Sequence, residues 1–272
     1  MKLYFVPTPT AQPADSSTTA SSLVSALETL FPALSRAAPW ALTYRLFRDT
    51  APRTDPSDTS AQSQYAHTYQ HLLTHTALST QRAYIHIAPQ PSAPGQMQAQ
   101  SNGANKPGSV TSIPASQSDA RALLLRHQLA ALWTPRHMLS VQNGACYTGG
   151  LFSIYIGEVR ALREGQGGGV SSPGVVVCIS TTIGGEADEG VQSEGVDENG
   201  VEPIDLDFAQ ATIRELWGKV RAGRDLGRAE VKEVFMAPSG VGASDARPGT
   251  GGKGDETEAA VRMWCEVLRL RG

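Results

Sequence analysis

The sequence predicts an α+β fold in which an antiparallel β-barrel or strongly curved sheet carries flanking helices. Two observations predict it. Short apolar segments with a period of two come in runs, and segments with the helical period of about 3.6 stand in separate blocks. The order also lacks the regular alternation of strand and helix that indicates a parallel sheet. The 272 residues can bury one substantial core, and no repeat of fixed period is visible.

The amino-terminal elements are two strands with a helix between them. KLYFVP is a short strand that ends at Pro7, because proline has no amide donor for a ladder. An apolar stripe then predicts the first helix, and its members are Leu23, Ala26, Leu27, Leu30, Phe31 and Leu34. WALTYRLFRDT, residues 40–50, alternates and predicts a half-buried strand. Its inward side chains are Trp40, Leu42, Tyr44 and Leu46.

The later elements follow the same two periods. RAYIHIA, residues 82–88, predicts a strand, and residues 118–133 predict a helix with Ser118 as its N-cap. Strands are expected within 137–162 and in PGVVVCIS from Pro173. The last two helices are predicted at 207–220, with Gly223 as its stop, and at 257–270.

Three tracts contain almost no large apolar side chains: 89–118, 184–202 and 238–255. Such tracts bury too little apolar area to offset the entropy of ordering them. We therefore predict one domain over 1–272, with these three tracts as low-complexity insertions that are mobile in the isolated protein.

Composition and charge argue against several classes of protein. A net charge of −3 does not favour binding to nucleic acid through phosphate neutralisation. Nine carboxylates and no Lys or Arg lie between Glu186 and Asp207, which fits a solvated loop or, alternatively, a segment for a basic partner. The three cysteines are far apart without a CxxC motif, which favours a reducing compartment. No apolar run approaches the ~18 residues of a membrane span.

The stretch HMLSVQNGACYTGG, residues 137–150, raises the question of a catalytic cysteine. Cys146 would need a base within hydrogen-bond reach, and His137 could supply it across an antiparallel hairpin that turns near Asn143 and Gly144. Asn-Gly is itself a strong hairpin signal, because both residues tolerate positive φ. The turn explains these residues without chemistry. A cysteine-dependent intracellular hydrolase using Cys146 and His137 is the alternative function.

His67, His71 and His75 are spaced by four residues, which on a helix would place three imidazoles on one face for a metal ion. The segment fits a strand equally well, and no carboxylate or cysteine beside it completes a ligand set.

The glycine-rich stretch RPGTGGKG, residues 247–254, differs from the phosphate-loop pattern at both its first and its last position. We therefore predict no metal and no cofactor.

The strand LFSIYIGEV is apolar on both sides. Phe152, Ile154 and Ile156 share one side, while Tyr155 and Val159 share the other. Both sides must be covered, one by the core and one by helices or by another protein. We predict that Tyr155 and Val159 bind a partner.

Five blocks, in order, resemble the fungal form of subunit 20 of the Mediator complex, the coactivator assembly that connects transcription activators to RNA polymerase II. They are LYFVPTP, PWALTYRLFRDT, RAYIHIA, ALWTPRHMLSVQNGACYTGGLFSIYIGEVRAL and GVVVCIS. The resemblance implies a β-barrel with flanking helices that pairs with subunit 18 in the head module, with the pair tethered through subunit 8. It also implies a nuclear, non-enzymatic protein that helps to couple regulators to RNA polymerase II without contacting nucleic acid or membrane directly.

Overall fold

The computed structural model describes residues 1–8, 13–50, 67–88, 108–150, 152–162, 170–181, 206–224, 226, 232–235 and 253–269. The strands in this part are β1 (Lys2–Pro7), β2 (Ser35–Arg36), β3 (Trp40–Asp49), β4 (Tyr69–His75), β5 (Ser79–Ala88), β6 (Ser109–Pro114), β7 (Trp133–Gly149), β8 (Phe152–Leu162), β9 (Val170–Thr181) and β10 (Lys232–Phe235). The helices are α1 (Pro13–Leu30), α2 (Ser118–Leu123), α3 (Leu206–Arg221) and α4 (Lys253–Arg269).

One antiparallel sheet contains all of these strands. Its order is β10-β1-β9-β8-β7-β3-β4-β5-β6, and the short β2 pairs with β7 outside that path. Within the described residues β10 and β6 are the two ends of the sheet and do not pair with each other. The sheet is therefore open and strongly curved, which confirms the predicted α+β class in its curved-sheet form.

Strand β3 confirms the alternation predicted for residues 40–50. Trp40, Leu42, Tyr44 and Leu46 are buried, whereas the residues between them are partly exposed. The strand lies in the middle of the sheet, between β4 and β7.

The sheet has two covered faces, named here by the helices that lie on them. On the α4 face, α4 packs its apolar side onto the sheet. Its fully buried side chains are Val261, Met263, Trp264, Cys265, Val267 and Leu268, and they share one core with β1, β3, β7, β8 and β9. On the α1 face, α1 and α3 cover the β1, β9 and β8 region through Leu23, Leu27, Ile213 and Trp217.

The α1 face carries a second, smaller cover over β4 and β5. Leu72, Ala83 and Ile85 are buried there, with Ala122 of α2 packed against them. The helical segment that begins at α2 is shorter than the predicted 118–133. After α2 it continues as a π-helical turn over Leu124–Gln128, and Trp133 already pairs with Asp49 as the first residue of β7.

Two further predictions need correction in this region. Ser118 is not the N-cap, since a 3₁₀ turn over Ala115–Gln117 leads directly into α2 and Ser118 has helical angles. The tract 89–118 also ends in regular structure, because β6 pairs with β5 and places Val110 and Ile113 against the apolar clusters.

Most of the three predicted insertions lies outside the described residues, namely 89–107, 184–202 and 238–252. Residues 253–255 begin α4.

Among the described helices, none combines the length and the apolarity that a membrane span requires.

Candidate partner-binding site

The Asn143-Gly144 pair forms a β-bulge inside β7, so the predicted hairpin turn at this position is wrong. Between Val141 and Gly144 the strand β7 has one more residue than β3 has between its paired positions Leu42 and Trp40. Asn143 has a φ of 54°, the left-handed conformation that the Asn-Gly signal predicted. The hairpin to β8 instead follows Gly149, which pairs with Phe152, and Gly150 has a φ of 55° there.

The bulge makes room for the indole ring of Trp40. The Nε1–H of Trp40 lies 3.1 Å from the Ala145 carbonyl and 3.3 Å from the Ile156 carbonyl, and donates to both. Two glycines allow this close approach. A Cβ on Gly144 would overlap the indole nitrogen, and a Cβ on Gly157 would lie 2.8 Å from Cζ2 of the ring. The ring itself is buried and lies on the α4 face, where it contacts Trp264 at 5.7 Å between centroids.

An open cleft lies on the opposite face of the same bulge, between α1 and strands β7 and β8. Its volume is about 410 Å³. The residues that line it, called the α1 cleft below, are Ser17, Ala20, Ser21, Val24, Ser25, Glu28, Arg36, Gln142, Asn143, Gly144, Ala145, Ile156, Gly157 and Glu158.

The charged groups of the α1 cleft are two carboxylates and one guanidinium. Glu28 accepts a hydrogen bond of 2.5 Å from the Tyr147 hydroxyl and lies 3.8 Å from Arg36. Oε2 of Glu158 accepts from Arg160 at 3.0 Å. Oε1 of Glu158 is shielded from solvent and accepts no hydrogen bond within the part of the chain that the structure describes.

Beneath α4 lies a layer of histidines and aromatic rings. Trp40 stacks on His75 with ring centroids 5.0 Å apart, and His75 contacts Trp264 at 4.7 Å. In the same layer the hydroxyl of Tyr44 shares a hydrogen bond of 2.8 Å with Nδ1 of His71, whose ring stacks on His86 at 5.1 Å.

Burial lowers the pKa of the two innermost histidines. Removal from solvent is the main cause for both, and it lowers the pKa of His71 and of His75 to about 3. The neighbouring His86 and Arg269 lower the pKa of His71 further. Both imidazoles are therefore neutral at physiological pH and act as core side chains.

Cys146 and His137 do not form a catalytic pair, which corrects the hydrolase alternative. Both lie in β7, nine residues apart, which corresponds to roughly 30 Å in an extended strand. Cys146 pairs with Tyr155 and His137 with Leu46, and burial raises the pKa of the Cys146 thiol. A thiol shielded in this way, with His137 far along the same strand, is not activated by that histidine.

The three histidines at four-residue spacing are not on a helix. His71 and His75 lie in β4, and His67 precedes that strand and bonds to Asp49 at 2.9 Å. In the described part of the chain no group of three or more His, Cys, Asp or Glu side chains is arranged to hold a metal ion.

Tyr155 and Val159, predicted to bind a partner, both lie on the α4 face. Val159 is fully buried in the core beneath α4, and Tyr155 is partly buried at its margin, 6.0 Å from Trp40 between ring centroids. On the other side of β8, Ile154 and Ile156 lie under α1 and α3. Helices of this chain thus cover both sides of the strand. Contact of Tyr155 or Val159 with a partner stays a prediction. No pattern in the sequence predicted the α1 cleft.

The geometry defines an α+β protein built on one curved antiparallel sheet with helices on both faces. Over residues 1–225 its sequence matches the family described as TATA-binding related factor (TRF) of subunit 20 of Mediator complex. Because the match covers most of the chain, this protein belongs to the Mediator subunit 20 family, which places it in a coactivator complex that regulates transcription. The resemblance to subunit 20 is confirmed.

No curated protein matches the chain. One of the similar solved structures is that of the PH1819 protein from Pyrococcus horikoshii OT3, at 10% identity, with 85% of this chain and 92% of that chain covered and a TM-score of 0.34. A TM-score this low bears on neither fold nor function.

Proposed function

We propose that this chain is a non-enzymatic scaffold subunit of the Mediator head module, which pairs with subunit 18 and is tethered through subunit 8. In this role it helps to couple regulators to RNA polymerase II in the nucleus, through contacts with proteins. The observation that carries the proposal is the match to the subunit 20 family over residues 1–225, which spans every element from β1 to α3.

The arrangement of the candidate catalytic groups supports the same proposal. Cys146 is buried and His137 lies far along the same strand, so the residues considered for hydrolysis contribute to the sheet and its core instead. The α1 cleft, with exposed serine hydroxyls and the exposed Glu28 along its α1 side, is suited to holding a protein segment.

Affinity capture of the tagged chain from nuclear extract, followed by mass spectrometry, tests this function. We expect subunits 18 and 8 to be recovered with the wild-type chain and with Cys146→Ala in equal amounts. Recovery of no Mediator subunit would contradict the proposal, as would a hydrolytic activity that Cys146→Ala abolishes. A fluorescent fusion of the same chain should localise to the nucleus.

A further inference from the structure

We propose that protonation of the histidines beneath α4 releases this helix from the sheet as one unit, while the elements of the α1 face stay folded. Such a release is a property of the fold and does not depend on the proposed function.

Three of the four histidines beneath α4 lie in one row across the sheet. In the strand registers His86 pairs with His71. Leu46 pairs with His71 on one side and with His137 on the other. Paired residues of neighbouring strands share a face, and Leu46 belongs to the core beneath α4. The fourth histidine, His75, lies four residues along β4, and its ring contacts α4. Histidines from three strands therefore meet one helix.

The two innermost imidazoles have no acceptor for an added proton. A protonated imidazole donates from both ring nitrogens. Nε2 of His71 and Nε2 of His75 are shielded from solvent and have no hydrogen-bond partner in the part of the chain that the structure describes. Nδ1 of His75 accepts from the Ala77 amide at 3.2 Å, so a proton on this nitrogen would face another donor. The charged forms are therefore unfavourable while α4 is docked. Burial lowers the pKa of His86 and of His137 as well.

The titratable and charged groups that face the histidines do not offset an added positive charge. They are Tyr44 of β3, Arg136 of β7, Tyr155 of β8, and Glu258, Arg262, Glu266 and Arg269 of α4. Glu258 already pairs with Arg262 of the same helix. Glu266 pairs with Arg269 at 3.4 Å. The guanidiniums outnumber the carboxylates, so the surroundings of the histidines disfavour the imidazolium form.

The α1 face has a core of its own that does not contain α4. Helices α1 and α3 cover that face with a separate apolar cluster, in which Trp217 stacks on Tyr4 of β1 at 4.7 Å between centroids. The histidines that are buried in the described chain all lie on the α4 face. Protonation therefore weakens one core selectively, and proteins open locally in such contiguous units.

Release of α4 uncovers the sheet beneath it. Val159 lies in the core under this helix and Tyr155 lies at its margin. The open form thus presents the two side chains that the sequence predicted to bind a partner.

Hydrogen–deuterium exchange with mass spectrometry tests the release on the full-length chain. Exchange is measured at pH 7 and pH 5, and the intrinsic rate at each pH is divided by the observed rate to give a protection factor. We expect the protection of α4 peptides to fall at least about a hundredfold between the two pH values, because two histidines each take up a proton on opening. At pH 5 the α4 peptides should be at least about tenfold less protected than peptides from β9.

Histidine variants show whether these side chains control the release. In a chain with both His71→Gln and His75→Gln, the fall in α4 protection should be at least about thirtyfold smaller than in the wild type. His127→Gln, at an exposed position, is the control for the substitution of a histidine by glutamine. If circular dichroism shows that the double variant is unfolded, His75→Gln alone decides the result, with a fall at least about fivefold smaller than in the wild type.

Two results would overturn the proposal. Equal protection of α4 and β9 at both pH values would mean that the whole chain opens in one step. The same fall in the wild type and in the histidine variant would mean that another group controls α4. Lower protection of α4 at pH 5 that depends on these histidines supports the release.

Discussion

Trp40 is the side chain around which the middle of the sheet is arranged. Its indole N–H donates to carbonyls of both β7 and β8, and its ring lies against Gly144 and Gly157. The sequence predicted that Trp40 points inward, because β3 alternates. It did not predict why Gly144 and Gly157 are glycines. A glycine beside Asn143 fits a hairpin turn as well as a bulge, and the contact that requires both glycines comes from Trp40 of another strand.

Replacement of Gly157 by alanine should therefore destabilise the protein. The added Cβ would lie 2.5 Å from Cγ1 of Val141 and 2.8 Å from the indole ring, so the core must shift. We expect the free energy of unfolding, measured with urea, to fall by about 1–3 kcal/mol.

Gly218→Ala is the control for that change. Gly218 lies in α3, and beyond the backbone of its own helix no described atom is within 4 Å of an added Cβ, so this variant should gain about 0.5–1 kcal/mol. Equal stability of Gly157→Ala and the wild type would show that the glycine is not required by the tryptophan.

Strand β4 brings two neutral histidines into the core. The spacing of His71 and His75 in the sequence suggested a histidine group, but it could not exclude a helix. A segment of seven residues with both polar and apolar side chains fits the helical period as well as the strand period. Pairing with β3 and β5 selects the strand and places both rings beneath α4.

These histidines should make stability depend on pH. Each has a folded pKa of about 3 and an unfolded pKa near 6.5, so the unfolded state takes up protons first as the pH falls. Their contribution to the free energy of unfolding is complete above pH 6.5 and is lost progressively as the pH falls from 6.5 to 3. Between pH 7 and pH 5 the loss amounts to about 2 kcal/mol for each residue.

Urea unfolding of His75→Gln at the two pH values measures this effect. We expect the variant to lose about 2 kcal/mol less than the wild type between pH 7 and pH 5. His127→Gln, at an exposed position, is the control for the substitution of a histidine by glutamine. The same pH dependence in His75→Gln and in the wild type would mean that His75 is protonated equally in both states.

Helix α4 is the element whose position the sequence could predict least. Its apolar stripe at Val261, Trp264 and Leu268 predicts an amphipathic helix. The pattern does not show which part of the sheet this helix packs against. The helix lies beyond residue 225, where the family match ends, and yet it contributes much of the core on one face of the sheet.

Trp264→Ala should accordingly be among the most destabilising single changes. The residue is 1% exposed and contacts both Trp40 and His75. We expect a loss of about 3–5 kcal/mol in thermal or urea unfolding, whereas Phe208→Ala, at a side chain that is 62% exposed, should change stability by less than about 0.5 kcal/mol. A small effect of Trp264→Ala would mean that α4 does not hold the sheet as described.

In the whole molecule, helices of the same chain cover both sides of β8, the strand that is apolar on both sides. From the sequence, the apolar residues on both sides of β8 indicated a cover but could not distinguish a helix of this chain from a partner, because burial leaves the same pattern in either case. The class of fold and most elements were predictable from local periodicity. The α1 cleft was not, since it arises where α1 meets a bulge more than a hundred residues away along the chain.

Co-expression with the subunit 18 homologue, followed by size-exclusion chromatography with light scattering, determines whether the two proteins form the proposed pair. We expect a single peak with the mass of a one-to-one complex, both for the wild-type chain and for Cys146→Ala. Elution of two separate, folded proteins at micromolar concentration would contradict it.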